Sequence, residues 1–278
     1  MNPPYGASIN YYLRSEQSGD VTLEILNGAG ETVRKLDATK HPGVNRVWWN
    51  LEFQPSNEAR LRTSPVYAPW VKVGDEGWRR APGMGRISVL APPGAYTVKL
   101  TAGGREFTQP LTVVKDPNSL GSESDIQAQT ALLHDLRDNL NAVVDMVNAV
   151  ELIRSQLLSL LGVLEGDESA ASVRMAAKEL DEKLVAFEQN LVNLTLTGRG
   201  QDGVRWPAKL GSQIAYLADN VSSSDLRPTA QAMDVHEVLE QELRALQQQY
   251  GELLRVDLTQ LNAMLAEHGV QGVVVRQP

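Results

Sequence analysis

The hydrophobic period of this chain changes once, near Pro117, from two to between three and four. A period of two suits half-buried strands and a period of 3.6 suits helices, so neither pattern can do the work of the other. The chain is therefore expected to fold as strands first and helices afterwards, in segregated halves of a multidomain α+β protein. Its 278 residues give room for two domains.

Charge divides at the same place. Residues 1–115 carry 14 Lys and Arg against 10 Asp and Glu, a net of +4, and residues 116–278 carry 12 against 24, a net of −12. The acidic half repels phosphate backbones, and the first half has no run of basic residues longer than two. Nucleic acid is therefore not an expected partner. The two changes together set domains at 1–115 and 116–278.

Within the first domain, Ala7–Leu13, Val21–Leu26, Thr32–Leu36, Asn45–Leu51, Gly94–Leu100 and Phe107–Val114 alternate as strands. Asn27–Gly30 and Gly103–Gly104 supply residues that tolerate positive φ, which hairpin turns require. About seven short strands separated by such turns predict an antiparallel β-sandwich of immunoglobulin or fibronectin type.

In the second domain, leucines and valines recur at three- and four-residue steps from Leu133 to Leu164. Val173, Ala177, Leu180, Leu184, Phe187, Leu191 and Leu194 then follow a 4-3 heptad. Helices are expected at about 122–164, 168–196, 207–222 and 229–268, with Ser122 or Ser124 capping the first. Short connections between them predict an up-down antiparallel four-helix bundle. No uninterrupted apolar run approaches the roughly 20 residues of a membrane span, so no transmembrane segment is expected. Met1–Gly6 has neither a basic nor an apolar export region.

Chemistry is sparse. There is no cysteine, and His41, His134, His236 and His268 form no metal-ligand spacing, so they are expected on the surface. No G-x-S-x-G is present, and Gly28-Ala29-Gly30 is a lone hairpin motif. Carboxylate pairs such as Asp181-Glu182 are expected to be solvated. No catalytic residue, metal or cofactor is assigned, and the chain is not expected to be an enzyme.

One segment, 52–85, has no period yet holds Arg60, Arg62, Tyr67, Trp70, Trp78, Arg79 and Arg80. A loop of that length and aromatic content is expected to pack on something. Three readings stay open: Trp70 and Trp78 cover an end of the sandwich, dock a partner, or stack on sugar rings. Tyr67, Trp70, Trp78, Arg79 and Arg80 form the candidate interaction surface.

The strands and turns at Val21–Leu26, Gly28–Gly30, Val33-Arg34, Gly43–Leu51 and Pro93–Leu100 resemble the Ig-like module of the flagellar hook-capping type. Pro3-Pro4, Gly6-Ala7, Ile9 and Tyr11-Tyr12-Leu13 precede that module, and Asp116-Pro117, Asp125, Ala128-Gln129 and Asn220–Ala232 follow it. In this order the chain is similar to the C-terminal region of large exported bacterial proteins. Their N-terminal part is a sortilin-like, Asp-box β-propeller, often catalogued as glycosyl-hydrolase-like. The resemblance implies an accessory domain for protein–protein interaction, with the propeller or another protein as partner and a glycan as a second ligand class. It implies a secreted or cell-envelope location, a chain truncated at Met1, and any hydrolase activity confined to the propeller.

Overall fold

The computed structural model describes residues 4–197 and 202–275. It is mixed α+β, with antiparallel sheets first and helices after them. The strands are β1 (Ala7–Leu13), β2 (Thr22–Leu26), β3 (Thr32–Asp37), β4 (Gly43–Trp49), β5 (Arg60–Leu61), β6 (Arg79–Arg80), β7 (Gly94–Ala102) and β8 (Arg105–Val113). β1 pairs with β4, β5 with β6, and the remaining four run in the order β3-β2-β7-β8.

The alternation read from β2 holds, with Leu23 and Ile25 buried and Thr22 exposed. Glu24 faces Lys99 of β7 at 3.1 Å. The β7–β8 hairpin closes through Gly103 and Gly104, both at positive φ, the backbone that a two-residue turn of matching twist demands. Trp49 is fully buried, its ring edge-on to Tyr96 at 5.5 Å and its indole N–H donating to the Glu52 carbonyl at 2.8 Å. β8 is an edge strand, exposed along most of its length, and Pro110 within it removes a donor from the open ladder.

The helices are α1 (Glu123–Val163), α2 (Ala171–Leu191), α3 (Asp202–Arg205), α4 (Leu210–Ser222), α5 (Ala230–Glu252) and α6 (Thr259–Glu267). Ser122 caps α1 as expected: its hydroxyl accepts from the Asp125 N–H at 3.2 Å, and Asp125 accepts from the Ser122 N–H at 3.1 Å. The heptad of α2 is buried from Val173 through Leu191. The helix ends there and not at 196, because Asn193 turns the chain by accepting from the Thr195 N–H at 3.0 Å. The expected 229–268 helix is α5 and α6 joined by a π-helical turn at Leu253–Leu258.

By length and composition α1 is long and apolar enough to cross a membrane, a test that a core helix also passes, and 44% of the relevant window is buried in the structure. The compact units of the chain differ from the expected domains. The chain forms two compact units: 1–55 with 87–137 and 221–228, and 56–86 with 138–220 and 229–278. The expected division at 115/116 does not follow them: 56–86 hydrogen-bonds to side chains of α1 and falls in the second unit. We call 56–86 the strap, and the units the sheet unit and the helical unit.

Candidate interaction surface

All five candidate surface residues lie on the strap. Its backbone needs partners for its N–H and C=O groups, and β5–β6 pairs only four residues. For 57–63, α1 supplies partners from side chains spaced three and four apart on one face, Asn141, Asp145, Asn148 and Glu151. The Asn57 N–H donates to Asn141 at 2.7 Å, and the Asn57 amide to Asp145 at 3.2 Å. The Arg60 N–H donates to Asn148 at 2.7 Å, and Asn148 donates back to the Glu58 carbonyl at 3.2 Å. Glu151 accepts from the N–H groups of Arg62 and Thr63, the latter at 2.7 Å, and from the Thr63 hydroxyl at 2.8 Å. A helix face here plays the part of a neighbouring strand.

The far end of the strap is seated on α4. The Ser212 hydroxyl donates to the Gly83 carbonyl at 2.7 Å. Met84 lies so close over Gly211 that a Cβ there would collide with its terminal methyl.

Behind the strap lies a buried charge cluster. Arg154 of α1 donates through Nη1 to Glu151 at 2.8 Å, to Glu188 of α2 at 3.0 Å and to the Thr63 hydroxyl at 3.1 Å. Its Nε donates to Asp181 at 3.0 Å. Glu151 and Glu188 are fully buried, and Glu188 Oε1 has no partner among the described residues. Burial drives the Glu188 pKa well above the ordinary carboxylate range, and the nearby Glu151 adds to the rise against the pull of Arg154. Burial opposes the charge of Arg154, but Glu188, Glu151 and Asp181 outweigh it and raise its pKa. Arg79 is lowered, first by burial, with Glu151 and Glu188 offsetting part of the loss.

The five strap residues therefore separate into two groups. Trp78 lies under the Arg60 guanidinium at 4.9 Å, Arg79 donates to the Thr63 carbonyl at 3.0 Å, and Arg80 pairs with Glu58 at 3.2 Å. These three hold the strap's own shape. Tyr67 and Trp70 are 64% and 72% exposed. Tyr67 also lines a cleft of about 690 Å³ with Gln189, Asn193, Thr195, Trp206 and Lys209.

Reading the sequence missed Glu151, Arg154 and Glu188. A signal existed: Val144, Val147, Glu151 and Arg154 continue one buried stripe at steps of three and four, and Glu188 sits between Phe187 and Leu191. Asp181 was expected in solvent and instead holds Arg154. His236 was expected at the surface but is buried, within 3.3 Å of the Asn139 amide. Among the described residues, no group of three or more His, Asp or Glu side chains is arranged to hold a metal ion. No family model, curated protein or solved structure matches the chain.

Proposed function

We propose that this chain is a non-catalytic interaction region that docks a protein partner through Tyr67 and Trp70. The observation that carries this reading is the contrast along the strap. Its backbone is tied at Asn57, Arg60, Arg62 and Thr63, while two large aromatic side chains stand in solvent. Exposed aromatics on a pre-ordered support lose little freedom on binding, which is what an interface anchor needs.

In the resemblance, the partner is an Asp-box β-propeller of an exported sortilin-like protein, in the cell envelope or outside the cell. The sheets then form an Ig-like sandwich and the helices an up-down bundle, and the strap belongs to the helical unit. Any glycosyl-hydrolase-like activity belongs to the propeller. The test is titration calorimetry of the chain against a purified propeller of that type. Replacing Tyr67 and Trp70 with Ala is expected to weaken the complex at least about tenfold, with the melting temperature unchanged. Absence of any complex with the intact chain would sink the docking reading.

A second reading has its own observation. The cleft between Tyr67 and Trp206 pairs two part-exposed rings with the Gln189 amide, a lining suited to stacking on a sugar. NMR titration with cello- and chito-oligosaccharides tests it. Shifts at Gln189 that disappear in Trp206→Ala favour the glycan, and a flat titration removes it.

A further inference from the structure

The buried cluster behind the strap asks more of Arg154 than it can give. Its Nη1 carries two hydrogens and faces three acceptors, on Glu151, Glu188 and Thr63. Glu151 has donors in plenty, from two strap N–H groups, the Thr63 hydroxyl and Arg154. Glu188 has one shared hydrogen on Oε2 and nothing on Oε1. An ionised carboxylate left so poorly solvated in the interior is costly. A neutral carboxyl is not, and its proton makes a hydrogen bond from Glu188 to Glu151, a contact two carboxylates cannot make.

We infer that Glu188, Glu151 and Arg154 form a proton-operated latch: a proton on Glu188 keeps the strap bound to α1, and loss of that proton releases it. The charged groups around Glu188 are Glu151 and Arg154 from α1, Asp181 from its own helix through Arg154, and Arg79 from the strap. With Glu188 ionised, three carboxylates face one fully buried guanidinium and one half-buried one. The cheapest relief is entry of water. α1 and α2 bury apolar stripes and resist parting, whereas the strap is held here by polar contacts to Glu151 that water can replace. The strap is therefore the part that opens.

The sign follows from linkage. Glu188 is raised in the folded state, so its stabilising contribution is complete below the ordinary value of 4.5 and is lost as pH climbs through the raised value. The strap bears Tyr67 and Trp70, so the latch also gates the docking surface, a consequence that alone rests on the docking reading.

Hydrogen exchange at the Arg62 and Thr63 amides of the full chain, without any partner, tests the latch between about pH 5 and pH 9. After correction for intrinsic exchange, protection is expected to fall about tenfold per pH unit between the ordinary value of 4.5 and the raised Glu188 value and to level off above it, since one proton is coupled to opening. Glu188→Gln, neutral at every pH, is expected to hold protection constant. Constant protection in the parent chain, or the same decline in Glu188→Gln, overturns the latch. If that variant does not fold, carboxyl ¹³C titration of the parent chain decides. A Glu188 signal that titrates near 4.5 overturns the proposal, and one that titrates far higher, together with strap opening, supports it. A chain that passes these tests and binds no propeller fails only the docking reading.

Discussion

The β7–β8 hairpin and the strap are both extended chain, and they solve the same problem in opposite ways. In the hairpin, nine residue pairs from Gly94↔Val113 to Ala102↔Arg105 satisfy one another across a glycine turn. In the first part of the strap, at Asn57, Arg60 and Arg62, the acceptors are side chains of α1 that lie 84 to 89 residues further along. Hairpin partners are local, and a two-residue turn sets their register. Strap partners are distant, and no turn sets theirs. An aperiodic segment is thus not an unstructured one. It is one whose hydrogen-bonding partners lie on another element.

The sharpest way to break this comparison is Glu151→Ala. It removes the acceptor of two strap amides and leaves Arg154 buried with less compensation. The expected loss is about 3–5 kcal/mol in urea unfolding of the chain. A loss below about 1 kcal/mol would mean that polar contacts do not hold the strap. Asn148→Ala removes one acceptor and one donor nearer the solvent, and about 1–2 kcal/mol is expected by the same measurement. A loss as large as that of Glu151→Ala would show that the ladder is cooperative along its length. Trp70→Ala is expected to change stability by no more than about 0.5 kcal/mol, because the ring is exposed. A fall of several degrees in melting temperature would make Trp70 part of the core and remove it from the docking surface.

The legible parts of the fold were those whose cause is local. Leu23 and Ile25 alternate, Gly103 and Gly104 turn, Ser122 caps, and the α2 heptad from Val173 to Leu191 is buried as read. Of the five candidate surface residues, Tyr67 and Trp70 are exposed, whereas Trp78, Arg79 and Arg80 have partners within the strap. A residue list cannot separate these groups, because the same side chains suit either task.

The sequence alone determined the order of strands and helices, since each pattern reports which face of one element avoids water. Tertiary structure decided which unit the strap belongs to and which charges are buried. Glu151 and Glu188 read as ordinary helix carboxylates until α1, α2 and the strap close around Arg154. The reason is physical. Burial of a charge depends on partners that arrive from elsewhere in the chain, and local period carries no information about them.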